Sequence, residues 1–231
     1  MKTTGGTDDQ KRRAAERAAD LVSSGETVGL GTGSTAAFAV RALGRAVEAG
    51  ELEDVFGVAT SFASRELARE AGVPLCSLDE VECIDVAIDG SDQVDADGNL
   101  IKGGGAAHAR EKVVDAAAHR FVVVADPSKL AETLDRPVPL EVLPAARTLV
   151  SARVDELGGD PVLRTADRKD GPVVTDNGNF VLDCDFGAID DPASLSADLS
   201  ATPGVVEHGL FVGLADEAYV GTDDGVDART Y

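Results

Sequence analysis

The run Phe121-Val122-Val123-Val124-Ala125 is apolar at every position. It is far too short to cross a bilayer, which takes about 20 apolar residues. It also shows no period that would leave one side to water. A short, β-branched run of this kind fits a strand buried on both faces, as in a parallel sheet covered by helices. Thr27-Val28-Gly29-Leu30, Phe56 to Thr60 and Cys83 to Ile88 have the same character. Helical patterns separate them. Residues 8–24 place Ala14, Ala18, Leu21 and Val22 at helical spacing before a Gly25 stop, and further helices are expected over about 34–48, 61–71 and 105–118. Strands alternating with helices predict an α/β fold with a doubly wound, mostly parallel sheet. Such sheets bind ligands at the carboxyl ends of their strands.

The rhythm changes after about residue 135. Prolines stand at 137, 139 and 144, and a helix over about 145–157 is expected to end at Gly158-Gly159. Val173 to Asp176 and Phe180 to Asp183 flank Asn177-Gly178, a strong hairpin signal. Another helix is expected over 191–200. A second hairpin should turn at Asp97-Gly98, and Gly209-Leu210-Phe211-Val212 reads as strand returning to the large sheet. The expected division is a large domain of residues 1–134 and 207–231 and a small α+β domain of residues 135–206.

Charge narrows the partners. Asp and Glu total 42 against 21 Lys and Arg, a net charge of −21 spread along the whole chain. Such a surface repels nucleic-acid phosphate. Its interleaving with regular apolar periodicity argues against disorder. Very high salt resolves the self-repulsion, because at about 1 M the screening length falls to about 3 Å. Scarcity of Lys (6 against 15 Arg) fits the same reading of a halophile's enzyme. No long apolar run suggests a membrane partner, and residues 1–10 lack a signal peptide's apolar stretch, so a cytoplasmic protein is expected. The cysteines, Cys76, Cys83 and Cys184, are odd in number and form no CxxC. They read as reduced core residues. His108, His119 and His208 make no metal-ligand spacing with one another or with a cysteine, and a surface or capping role suits them best.

Five segments carry chemistry. Gly31-Thr32-Gly33-Ser34-Thr35 follows a strand and opens a helix, where backbone N–H groups and the helix N-terminus favour one phosphate. The same residues fit a dinucleotide fingerprint, but that requires an acid ending the next strand, and this one ends Ala59-Thr60-Ser61. Asp89-Gly90-Ser91-Asp92 brings two carboxylates off one strand end. A calcium loop around Asp95 and Asp97 fails, because its first and last ligands would be Gln93 and Gly104. Lys102-Gly103-Gly104-Gly105 places several backbone N–H groups beside a cation suited to a developing oxyanion. Glu111, in Arg110-Glu111-Lys112, is expected about two turns into the helix that the glycines open. Lys129, in Asp126-Pro127-Ser128-Lys129, leaves a strand end where an anion would sit. Lys11 lies in the first helix, and of the six lysines only Lys2 and Lys169 fall outside these segments.

In this order the segments resemble the ribose-5-phosphate isomerase A family. The likeness continues through Val174-Thr175-Asp176-Asn177-Gly178-Asn179 and Pro203-Gly204-Val205-Val206-Glu207 and covers nearly the whole chain. It implies a Rossmann-like catalytic domain with a small ferredoxin-like domain, no metal, no organic cofactor, and a homodimer or homotetramer. It implies an aldose–ketose isomerase of the non-oxidative pentose phosphate pathway. It assigns Glu111 the proton transfer, with Asp89 and Lys102 assisting. Thr32, Gly33, Ser34, Thr35, Asp89, Gly90, Ser91, Asp92, Lys102, Gly103, Gly104, Gly105, Lys129 and Lys11 would hold the sugar phosphate. The chain departs from the family at His108-Ala109, where a large apolar residue and Thr are common, and at Gln93, where an acid often stands.

Other readings need features that are missing from the sequence. A sugar-phosphate sensor should lack Glu111 or carry a basic DNA-binding module. A CoA transferase needs a Glu facing a thioester, and an amino-sugar deaminase needs a catalytic His network. The charge reading is testable by itself. The thermal midpoint is expected to rise steeply as KCl goes from about 0.1 M to about 2 M. A protein that stays folded and active in dilute buffer would refute adaptation to high salt.

Overall fold

A computed structural model of the chain describes residues 5–167 and 170–231. Lys2 and Lys169 lie outside the described residues. The strands are, in chain order, β1 (Thr27–Leu30), β2 (Phe56–Ala59), β3 (Val86–Gly90), β4 (Gln93–Val94), β5 (Leu100–Ile101), β6 (Phe121–Ala125), β7 (Val138–Val142), β8 (Asp160–Leu163), β9 (Phe180–Asp185), β10 (Val205–His208), β11 (Leu210–Phe211), β12 (Glu217–Gly221) and β13 (Val226–Thr230). The helices are α1 (Asp8–Ala19), α2 (Ala36–Glu48), α3 (Phe62–Ala71), α4 (His108–Ala116), α5 (Arg147–Glu156) and α6 (Pro192–Ser200).

Contacts group the chain into two compact units. One holds residues 5–91, 110–130 and 214–231. Its six-stranded sheet has the order β13-β12-β6-β3-β1-β2. The five strands from β2 to β12 are parallel, and β13 pairs antiparallel at the edge. Because β1 lies between β2 and β3, the chain leaves β1 to one side and returns on the other. The carboxyl ends of β1 and β3 therefore flank the topological switch point, where open α/β sheets bind ligands.

The two-residue strand period sorts the faces of this sheet. Val28 and Leu30 of β1 and Val86 and Ile88 of β3 join a core with Ala14, Ala18, Val40, Leu43 and Ala68 of α1, α2 and α3. The alternate residues, Gly29 and Ala87, face α4: a Cβ on Gly29 would meet Ala87 and Val114 at 2.9 Å. Asp89 continues the Ala87 face. The C-terminal end of α4 is fixed near the start of β3, where Ile84 bridges Ala118 and accepts the His119 N–H at 2.8 Å. Helix α4 thus runs antiparallel to the strands and begins at their carboxyl edge.

The other unit holds residues 92–109 and the described part of 131–213. The order β7-α5-β8-β9-α6-β10 folds into an antiparallel sheet arranged β10-β7-β9-β8, the ferredoxin-like arrangement. A three-stranded sheet β11-β5-β4 belongs to the same unit, and Ile101 and Leu210 share the core of β7 and β9. That pairing is why residues 92–109 group with the smaller unit's strands instead of with residues 5–91. Gly209 to Phe211 likewise pair with β5 and not with the large sheet; β12 and β13 are the segment that returns there.

Several local expectations are corrected. Helix α1 stops at Ala19, five residues before the expected end, and Leu21 and Val22 turn into the core. Strand β3 begins at Val86, since Cys83 to Asp85 pass the end of α4. Pro139 concealed a strand: β7 is buried throughout and central in its sheet, with the Pro139 carbonyl accepting the Gly209 N–H at 2.7 Å. The hairpin around Asn177-Gly178 has one bridge, Val174 to Phe180, instead of two paired strands. Its turn is held by Glu141 of β7, which is fully buried and accepts from Thr175 Oγ1 (2.9 Å), Asn177 Nδ2 (3.0 Å) and Asn179 Nδ2 (2.7 Å). His108 and His208 are buried and not at the surface. Cys184 is a buried core thiol, pushed up to about 12 by desolvation and then by Asp183. Cys76 and Cys83 are only half-buried.

Removing the Glu141 carboxylate strands the buried Thr175 hydroxyl and takes the shared acceptor from the Asn177 and Asn179 amides. Glu141→Ala is expected to cost about 3 kcal/mol in chemical denaturation at constant salt. A loss below about 0.5 kcal/mol, the size of an ordinary surface change, would contradict this account of the turn.

Candidate active site

In the larger unit, the loop after β1 sits against the end of β3. Asp89 is 0% exposed, and its Oδ1 accepts the N–H of Thr32 at 3.0 Å and of Gly90 at 2.6 Å. A Cβ on Gly31 would stand 2.2 Å from Asp89 Oδ1 and 2.5 Å from its Cα, so only glycine permits this approach. The Thr32 hydroxyl is held at 2.8 Å from that of Thr60 and donates to Ser61 Oγ at 2.7 Å. Thr60, placed where a dinucleotide fold would carry its acid, is therefore occupied in shaping the loop. Gly33 and Ser34 are exposed, Thr35 is buried at the start of α2, and no acid stands in the first turn of that 13-residue helix. A helix N-terminus without an acid, beside the exposed Ser34, suits a phosphate.

Ser91, just past β3, adds a buried hydroxyl oxygen with no hydrogen-bond partner among the described residues. Lys129 is buried in the short 3-10 turn Pro127–Lys129 after β6. Lys11 is half-buried on α1, whose amino end lies at the carboxyl end of β12: Gln10 Nε2 donates to Asp223 at 2.8 Å. Each of these residues thus lies at the carboxyl edge of the sheet.

Glu111 is in the first turn of α4 and not two turns in, because the helix starts at His108. Gly103 (φ 103°) and Ala106 (φ 60°) are left-handed and delay it. Glu111 is 4% exposed. It precedes Val114, which packs on Gly29 and Ala87, by three residues and so shares the sheet-facing side of the helix. With α4 running away from the carboxyl edge, Glu111 and Asp89 lie on one face of the sheet at that edge. The Arg110 guanidinium stacks 5.4 Å from the centre of the Phe62 ring.

In the smaller unit, the glycine run is tied at several points. Lys102 is 2% exposed, its N–H donates to Gly209 O at 2.8 Å, and its ammonium lies 5.3 Å from the Phe211 ring centre. Asp92 Oδ2 accepts the Gly104 N–H at 2.7 Å. His108 fills the space a Cβ on Gly103 would need, and its Nε2 lies 3.3 Å from Glu207 O. Arg164, which sequence reasoning missed, donates to Gly103 O (2.9 Å) and Gly104 O (3.3 Å) while pairing with Asp183. No spacing could have revealed it, since 60 residues separate it from Gly104.

A family model for ribose 5-phosphate isomerase A (phosphoriboisomerase A) matches residues 56–225. The ribose-5-phosphate isomerase A of Haloarcula marismortui is 66% identical over 226 residues, covering 98% of this chain and 97% of the relative. That of Natronomonas pharaonis is 66% identical over 229 residues, covering 99% and 100%. A solved D-ribose-5-phosphate isomerase in complex with phospho-erythronic acid is 41% identical, with a TM-score of 0.96 over 98% of this chain and 100% of that one.

The Gly31–Asp89 approach yields a direct test. Gly31→Ala forces atoms apart at a position where the Asp89 backbone blocks relief, and overpacking of this kind costs about 1–3 kcal/mol. Denaturation midpoints should drop accordingly, whereas Gly33→Ala, whose Cβ would meet nothing within 4 Å but whose φ is 110°, should lose less. Equal stability of wild type and Gly31→Ala would contradict the packing described.

Proposed function

The chain belongs to the ribose-5-phosphate isomerase A family, and we propose that Glu111 is the base with which it interconverts D-ribose 5-phosphate and D-ribulose 5-phosphate. The observation that carries the assignment is a buried carboxylate in the first turn of α4, on the Asp89 side of the sheet and at its ligand-binding edge. The reaction moves a proton from C2 to C1 and another between O1 and O2. A carboxylate on one side of the substrate takes the C2 proton, leaves an enediolate, and returns a proton to C1. Negative charge builds on the O1–O2 edge meanwhile. Lys102 and the N–H groups of Gly103 and Gly105 stabilise it, since fixed donors shielded from water need no reorganisation, while the Gly104 N–H is held by Asp92. Asp89 relays protons at the sugar oxygens and assists ring opening, because only the open chain has a carbonyl.

The phosphate is assigned to Thr32, Gly33, Ser34 and Thr35 at the start of α2, with charge supplied by Lys129 and, at longer range, Lys11. Ser91, Asp92 and Gly90 are assigned to the sugar hydroxyls, and the buried, unpartnered Ser91 Oγ supports this. Arg164 is a positioning residue that holds the glycine run. Residues 1–134 and 207–231 are taken as the catalytic domain, and a homodimer or homotetramer in the cytoplasm as the working form. A carboxylate spreads negative charge over two oxygens of a planar group, as the O–C=C–O edge of an enediolate does. Phospho-erythronic acid as a ligand of a relative therefore supports an enediolate route.

Glu111→Gln keeps the shape and removes the base. Its kcat should fall roughly 10²–10⁴-fold with KM little changed. A rate near that of wild type in a coupled assay at high salt would remove Glu111 from the mechanism. Arg164→Ala should lower kcat without altering the pH profile of the remaining activity, as a positioning role requires.

A further inference from the structure

Cys83, Asp85 and His119 are far apart in sequence or separated by other residues, and none belongs to the site above. The fold gathers them: Cys Sγ, a carboxylate oxygen and a ring nitrogen all lie within 4.8 Å of one another. We propose that they form a binding site for a divalent transition-metal ion of the zinc class.

The backbone explains the cluster. Ile84 is fully buried and packs with Val58 and Val114. In the extended segment through Ile84, residues 83 and 85 point to the opposite side from Ile84 and so share a face. Ile84 also bridges Ala118 and accepts the His119 N–H at 2.8 Å, which brings the imidazole beside that face. One Asp85 oxygen, Oδ2, is fixed by the Thr27 N–H at 2.8 Å, leaving Oδ1 to a metal. An outer hydrogen bond of this kind orients a ligating carboxylate. Cys83 and Asp85 are half-buried and His119 is exposed, so the site is anchored on one side and open to an ion on the other.

The donor set selects the ion. Thiolate, imidazole and carboxylate together suit zinc and its neighbours and not magnesium or calcium, which take oxygen ligands. Zinc holds sulfur at about 2.3 Å and nitrogen or oxygen at about 2.0 Å, which puts ligand atoms within about 4 Å of one another. The observed spacing needs only small side-chain rotations to reach that. Three protein ligands leave a fourth position for water. Binding converts the Cys83 thiol to thiolate and releases its proton to solvent.

The cluster lies at the amino end of β3 and the C-terminal end of α4, at the opposite end of the sheet from Glu111. An ion there clamps the exit of α4 to the entry of β3, which makes it a structural site and not a source of chemistry.

Cobalt(II) serves as the probe because thiolate ligation gives it an intense ultraviolet charge-transfer band. Full-length protein freed of metal by chelator is titrated with cobalt in high salt with excess magnesium. One equivalent with a thiolate-to-cobalt band is expected, together with a higher thermal midpoint. Cys83→Ser should abolish the band, and His119→Ala should weaken binding at least tenfold. Without metal, both variants should match the wild-type melting curve and isomerase activity, which keeps misfolding separate from lost ligation. No thiolate band at one equivalent, or binding unchanged in Cys83→Ser, would overturn the site and leave only diffuse attraction to surface acids.

Discussion

The Asp89 carboxylate, buried at the end of β3 and accepting the Thr32 N–H, is the interaction on which the arrangement of the larger unit's site depends. It joins the loops after β1 and β3 at the switch point of the sheet. Gly31 permits the approach, and Thr60 and Ser61 hold the Thr32 hydroxyl from the far side. The start of α2, which carries no acid in its first turn, follows directly from this loop. Burying a carboxylate without such donors would be costly, so the same hydrogen bonds that satisfy Asp89 Oδ1 also set the shape of the loop after β1.

How much of this was legible in sequence follows the range of the interactions. Local period and composition marked the apolar strands and the helices between them, and the glycine loops marked the carboxyl edge. They failed where a distant partner overrode a local signal. Pro139 suggests a break, yet β7 is central because β9 and β10 pair with it. Asn177-Gly178 suggests a hairpin, but Glu141, more than 30 residues away, takes the turn's side chains and β9 pairs elsewhere. Glu111 lies in a helix as expected, though not in the expected turn, because the left-handed Ala106 is not a residue that announces itself. Arg164 and the Cys83, Asp85 and His119 cluster had no sequence signature at all. Each exists only once the chain is folded.

The net charge of −21 sets a condition on the chemistry. An anionic substrate must approach an anionic protein, and few lysines are available to attract it. Lys102 and Lys129 are both buried, where a charge is screened far less by salt than at the surface. High salt therefore weakens the long-range repulsion while sparing the short-range contacts of each buried lysine. Backbone N–H groups at the start of α2 and in the glycine run add donors whose strength does not depend on net charge.

The central claim is that a carboxyl group carries the proton between C2 and C1. It is tested most directly with ribose 5-phosphate deuterated at C2, turned over in ordinary water at high salt. The account predicts that part of the label is lost to solvent, since a carboxylic acid holding it can exchange before returning it, and that label which is kept enters one stereochemical position at C1. Complete retention at C1, unaffected by temperature or pH, would indicate a direct hydride shift and contradict the account.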